Sequence, residues 1–227
     1  MKLREHIEEL RARLIKVSVV FFSSLILGFF LSPAIIRLIL DSLPGNIRII
    51  TTYPLEVLVT EARLSFYISL LLAIPFSIHE LSEFVKPSLK KNEKKFLSII
   101  PVSVLLFYLG FILGYFVLFI LGIKFLSSQV LSIGLSNLWG LEKTISYLFT
   151  GCFLMGLCFQ LPLIILILNK LNLVKKAFLR KKRKIIYILI ITLVAIITPS
   201  VDPFTLIIVS VPHVLLYEIS LLMRNLF

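Results

Sequence analysis

The sequence predicts an all-α membrane protein of six transmembrane helices with both termini on the cytoplasmic side, and three observations carry that prediction. The 227 residues are 59% apolar with a mean hydropathy of +1.03, whereas a soluble domain is about half apolar at most. Six apolar segments follow one another, against a requirement of about 20 residues for a helix to cross hydrocarbon. The basic residues gather on the loops and termini that would share one side of a membrane.

Taken in order, the first span runs from about Leu14 to Leu31, and Ser32-Pro33 is expected to turn it into a short amphipathic piece ending near Leu40. A polar stretch from Asp41 to Tyr53, with Pro44-Gly45 as its turn, leads to the second span, about Leu64 to Ile78, which carries Pro75. A basic loop, Lys86 to Lys95, precedes the third span, about Phe96 to Leu121. A polar stretch around Ser127 to Lys143 separates it from the fourth, about Ile145 to Leu168. After a second basic loop, Lys170 to Lys184, come the fifth span, Ile185 to Ile197, a tight turn at Pro199 to Pro203, and the sixth, about Phe204 to Leu222. The whole chain, 1–227, reads as a single polytopic membrane domain. The fifth and sixth helices are expected to be short, the fifth about 20 Å of helix against roughly 30 Å of hydrocarbon, so the last two spans predict a bundle of uneven height with a recess.

With the amino terminus inside, 19 of the 24 Lys and Arg fall on the inner side, leaving Arg37, Arg48, Arg63, Lys124 and Lys143 outside. The net charge of +12 is thereby read as topological, and no nucleic-acid partner is expected. The first apolar run is preceded by acids and lacks a small-residue cleavage site, so no cleavable signal is expected. Cys152 and Cys158, six apart in one apolar segment, are read as small lipid- or helix-facing residues and not as a disulfide or metal pair.

No phosphate-binding glycine loop is present. His79-Glu80-Leu81-Ser82-Glu83 begins like a zinc-protease helix, but Glu83 stands where the second histidine belongs. No nucleophile–base arrangement stands out, so neither enzyme activity nor a metal or other cofactor is expected. Polar residues inside spans are costly and therefore informative. Gln160 lies deep in the fourth span and needs partners from another helix. Glu218, near the inner end of the sixth, is expected to snorkel toward water, and Asp202 to cap the start of that helix. Glu9 lies four residues before Arg13, on one helical face. Glu93 stands among Lys90, Lys91, Lys94 and Lys95, where a local salt bridge is the plainest reading.

His6-Ile7-Glu8-Glu9-Leu10-Arg11-Ala12-Arg13-Leu14, Phe84-Val85-Lys86-Pro87-Ser88-Leu89 with Glu93-Lys94, Phe107-Tyr108-Leu109-Gly110, Gly114-Tyr115-Phe116, Gly156-Leu157-Cys158-Phe159-Gln160-Leu161-Pro162, Thr198-Pro199 with Asp202-Pro203, and Pro212 with Leu216-Tyr217-Glu218 occur in that order. The series resembles the TatC family, the core subunit of the twin-arginine protein translocase, across essentially the whole chain. The resemblance implies a six-span, glove-shaped bundle that receives folded precursors bearing twin-arginine signal peptides and moves them by the proton gradient. It implies that Glu9 and Glu93 accept the two guanidiniums, with Phe84 beside the signal's apolar part and Gln160 on the concave side. It also implies single-span TatA/TatB-type subunits, other TatC copies and the lipid bilayer as partners.

The family usually carries a glutamine and an aromatic near Glu80 and Ser82; here Glu80 and Glu83 occupy that region. Leu206 stands where a glutamine is usual after the Asp202 turn, and Ile120 where a third-span proline is. The location expected is the cytoplasmic membrane of a cell, or an organellar membrane if the gene is organelle-encoded. The rival class, a proton- or ion-coupled small-solute transporter, predicts internal repeats and charged, broken mid-membrane helices; neither is visible.

Overall fold

A proline inside an apolar helix removes one backbone donor and strands the carbonyl four residues earlier, a cost that lipid does not relieve. At Pro33 that carbonyl belongs to Phe29, and the Ser32 hydroxyl donates to it at 2.8 Å. The first helix therefore does not turn at Ser32-Pro33 as expected from the sequence. It runs unbroken as α1, Leu3–Asp41, about 58 Å long.

The computed structural model describes residues 3–85, 99–161, 163–164, 180–197 and 203–222, and helix dominates them. After α1 come a short strand β1 (Ile47–Ile50), α2 (Glu56–Val85), α3 (Ile99–Tyr115), a π-helical stretch (Phe116–Gly122) and α4 (Ile123–Ser132). Strand β2 (Asn137–Gly140), α5 (Leu141–Cys158), α6 (Arg183–Ile197) and α7 (Pro203–Leu222) follow. Among the described residues, three stretches, His6–Asp41, Glu56–Phe84 and Pro101–Ser132, are long and apolar enough to cross a membrane. The helix after the third span continues to Ser132, so the stretch from Ser127 read as polar and separating is helical in its first third. The chain divides into two compact units, Met1–Val104 with Ser136–Ser146, and Leu105–Leu135 with Tyr147–Phe227.

In the first unit α1 and α2 pair antiparallel: Arg13 meets Glu80, Phe21 meets Phe66, and Gly28 meets Ser65. The buried face of α1 is one stripe, Ser24, Gly28, Ser32, Ile36 and Ile39; that of α2 is Glu56, Thr60, Leu64, Ser65, Ser69, Ala73 and Glu80. Small residues let two backbones approach, and a Cβ added at Gly28 would lie 3.1 Å from the Ser65 backbone. The buried hydroxyls need no partner across the seam, because each donates to a carbonyl of its own helix: Ser24 to Val20, Ser65 to Ala62, Ser69 to Phe66, Thr60 to Glu56. Large apolar side chains point the other way, with Phe22, Ile26 and Phe30 exposed by 60% or more, as a face that meets lipid requires.

In the second unit, glycines receive aromatic rings in both directions. A Cβ at Gly110 would lie 2.6 Å from the Phe159 ring, and one at Gly156 would lie 2.9 Å from the Phe107 ring. Helix α4 ends at Gly134, whose φ is +79°. Leu135 N–H donates to Val130 O and Gly134 N–H to Leu131 O, the double bond that closes a helix with a left-handed residue. Helices α6 and α7 pack through Ile190, Val194, Val209, Tyr217 and Leu221. Among the described residues α6 has 15 residues, and α7, expected to be short like the helix before it, has 20, about 30 Å of helix. Both cysteines are reduced and buried, which makes them helix-facing.

Candidate functional site

Helical spacing places His6, Glu9 and Arg13 on one face of α1, and Glu80 and Phe84, four apart, on one face of α2. The antiparallel pairing brings these two faces together. Arg13 is held between two carboxylates. Its Nη2 and Nε donate to Glu9 Oε1 at 2.7 and 3.1 Å, and its Nη1 donates to Glu80 Oε2 at 2.9 Å and to the Glu80 carbonyl at 3.3 Å. The Glu80 side chain is only 11% exposed, against 21% for Arg13 and 25% for Glu9. One turn further out the His6 and Phe84 rings pack at a centroid distance of 5.3 Å. His6 Nδ1 is buried there with no partner among the described residues.

Of the residues expected to receive a signal peptide, the structure brings Glu9 and Phe84 to the same end of the α1–α2 seam; Glu93 lies outside the described residues. Glu8 and Arg11 are exposed, on the opposite face of α1 from the cluster. Sequence reasoning did not find Arg13 and Glu80 as partners. The fragment around His79 and Glu80 was weighed as a metal motif, yet His79 is exposed and the Glu80 carboxylate is taken by a guanidinium. The available signal was the bare presence of an acid at a buried helical position, and only the register of α1 against α2 names its partner.

The other end of the same helix pair holds a second carboxylate constellation. Strands β1 and β2 run parallel, with Ile47 opposite Asn137 and Ile50 opposite Gly140; the sequence reading did not anticipate them. Glu56, 1% exposed, accepts from the Thr52 amide, from the Thr52 hydroxyl at 2.9 Å and from the Glu142 amide at 2.8 Å. Glu142 in turn accepts from the Tyr53 hydroxyl at 2.5 Å and pairs with Arg63 at 2.9 Å. The hydrogen bond to Glu142 pushes the Tyr53 phenol up to about 12. A raised pKa means the folded state favours the protonated phenol. Its contribution is therefore complete below the ordinary tyrosine value of about 10 and is lost as pH rises through 12.

In the second unit Glu218 is half-buried and does not simply reach for water. It accepts from the Tyr187 hydroxyl at 2.5 Å and pairs with Arg183 Nη2 at 3.0 Å, tying α7 to α6. Arg183 Nε is buried without an acceptor among the described residues, so Glu218 is the guanidinium's main anchor. Tyr187→Phe is expected to cost about 1 kcal/mol, and Glu218→Ala more, because the arginine is then left unpaired. The temperature at which buried Cys152 and Cys158 become reactive to a thiol-directed dye measures both. Gln160 is half-buried in the turn that follows α5, its N–H donating to Leu157 O at 3.0 Å. Asp202 lies outside the described residues.

Comparison with known proteins places this arrangement in context. The family model described as TatC, Sec-independent protein translocase protein, matches residues 5–212. The chain is 34% identical to the Sec-independent protein translocase protein TatC of Halalkalibacterium halodurans, over 100% of this chain and 90% of that protein. It is also 34% identical to TatCy of Bacillus subtilis, over 99% of this chain and 89% of that one. A crystal structure of the twin-arginine translocase receptor TatC is similar with a TM-score of 0.78 at 26% identity, over 97% of this chain and 98% of that chain.

Proposed function

This chain belongs to the TatC family of Sec-independent protein translocase proteins, and from that premise we propose that its α1–α2 seam is where a twin-arginine signal peptide is received. The observation that carries the reading is the state of Glu9. Its carboxylate stands at the end of the seam, three-quarters buried, in a setting already suited to a guanidinium. Arg13 uses only Oε1; Oε2 has no donor among the described residues. An incoming arginine offers two parallel N–H groups, one for the open oxygen and one for Oε1 once Arg13 yields it, whereas lysine lacks the fork. Glu93 is the second acceptor in this reading, and Phe84, packed at a tilt against His6, offers an apolar wall to the segment that follows the arginines.

The wider proposal is a six-span, glove-shaped bundle with both termini cytoplasmic, forming one polytopic domain in the cytoplasmic membrane, or in the equivalent membrane of an organelle. It acts without catalysis of its own, recruiting single-span TatA/TatB-type subunits and other TatC copies for transport driven by the proton gradient. The 19-to-5 partition of basic residues supports the orientation, and similarity to solved TatC structures over 97% of the chain supports the bundle. Gln160 faces its concave side.

The test is binding of a labelled peptide with consecutive arginines to the purified protein, together with export of a twin-arginine precursor. Glu9→Gln is expected to weaken the peptide about tenfold or more, the worth of one charge-assisted bidentate pair. A di-lysine peptide should bind wild type as weakly as the di-arginine peptide binds the variant. Normal crosslinking and export in Glu9→Ala membranes would refute the assignment.

A further inference from the structure

Three side chains, Glu9, Arg13 and Glu80, form a bridge with more acceptor than donor: two carboxylates against one guanidinium leave one negative charge. Were residue 80 neutral, Glu9 and Arg13 would balance each other within this bridge. The geometry adds a second point. A forked guanidinium binds both oxygens of a carboxylate, but Arg13 Nη2 and Nε already occupy Glu9 Oε1. For Glu9 to take a ligand in that mode, these two bonds must open. Arg13 is then left partly buried, which is costly for a charge without a partner, unless another carboxylate holds it. Glu80 already does so, through a separate nitrogen, Nη1, on both its side chain and its carbonyl.

We propose that Arg13 is a resident guanidinium that competes for Glu9, and that Glu80 is the positioning residue that retains Arg13 when a ligand arginine displaces it. On this account Arg13 occupies Glu9 while no signal peptide is present, and binding is an exchange of guanidiniums on one carboxylate. Glu80 sets how readily the exchange goes. It does not touch the ligand. The proposal rests on the reading of Glu9 as the ligand's acceptor and is tested apart from it.

The experiment titrates the labelled di-arginine peptide into the purified full chain in detergent for wild type, Glu80→Gln, Arg13→Gln, the double variant and Glu9→Gln. Folding of each is checked by the temperature at which the buried cysteines react. Glu80→Gln, nearly isosteric, leaves Arg13 dependent on Glu9 alone and should weaken the peptide about tenfold. Arg13→Gln removes the competitor and should tighten binding severalfold. In the Arg13→Gln background, Glu80→Gln should change affinity less than about twofold, because the two residues act as a unit. If Arg13→Gln does not fold, Arg13→Lys serves: one ammonium cannot hold two carboxylates through separate nitrogens, so the same tightening and the same loss of the Glu80 effect are expected.

Unchanged or tighter binding in Glu80→Gln would overturn the exchange. So would an equal tenfold loss in the Arg13→Gln background, which would make Glu80 a direct contact. Both results are separate from failure of the underlying reading, which shows itself as wild-type affinity in Glu9→Gln.

Discussion

Gly110→Leu is expected to destabilise the second unit by about 3 kcal/mol, at the upper end of what overpacking costs. A Cβ at residue 110 would stand 2.6 Å from the Phe159 ring and 2.9 Å from its Cβ. Phe159 is 1% exposed and has nowhere to swing: its other side meets His213 edge-on at 5.4 Å. The helices must therefore part, and the reciprocal contact of Gly156 with Phe107 parts with them. Phe159→Ala alone should cost about 3–5 kcal/mol by leaving a cavity. The double variant should be more stable than the sum of the two losses predicts, since the new leucine fills the space the ring vacates. Strictly additive losses, read from the onset of cysteine reactivity, would show that the two residues do not oppose each other.

Glu56→Ala should lower the melting temperature in detergent by about 5 °C or more. Three donors, two of them backbone amides, converge on this carboxylate, and no water-facing route exists for a group 1% exposed. Removing it orphans the Thr52 and Glu142 amides together and releases the loop carrying β1 from the start of α5. Glu56→Gln should be nearly as damaging, because its amide NH2 would face one of the N–H donors. Protease cleavage within residues 42–55 is an independent readout, expected to rise in both variants. Wild-type melting in Glu56→Gln would mean that shape, not acceptor capacity, holds this end together.

These two positions also show where a linear reading stops. Phe107 to Gly110 and Gly156 to Gln160 were legible as matching pieces of a family pattern, but nothing in their order says that each glycine is the socket for the other segment's ring. Nothing in the linear sequence marks Glu56. It sits beside a turn in a polar stretch, and its donors come from residues 52 and 142, the second far along the chain. Strands β1 and β2 are four residues each and too short for alternation to register. Glu80 is visible in the sequence as part of a broken metal motif and as an acid where the family usually has an amide.

What the sequence determined alone was that its long apolar segments belong in lipid, three of them, among the described residues, long and apolar enough to cross a membrane. Apolar runs and the placement of lysine and arginine are local sums, and the membrane reads them without reference to the fold. Helix continuity at Pro33 was a nearer miss: Ser32 was in view, but its rescue of the Phe29 carbonyl depends on one rotamer. The tertiary structure alone decided which charges meet. Arg13 lies four residues from Glu9 and 67 from Glu80, and helical spacing announces only the first pair. The second exists because small residues at Ser24, Gly28 and Ser32 let α1 and α2 close in one register, and one residue of slip would turn the Glu80 carboxylate off the seam.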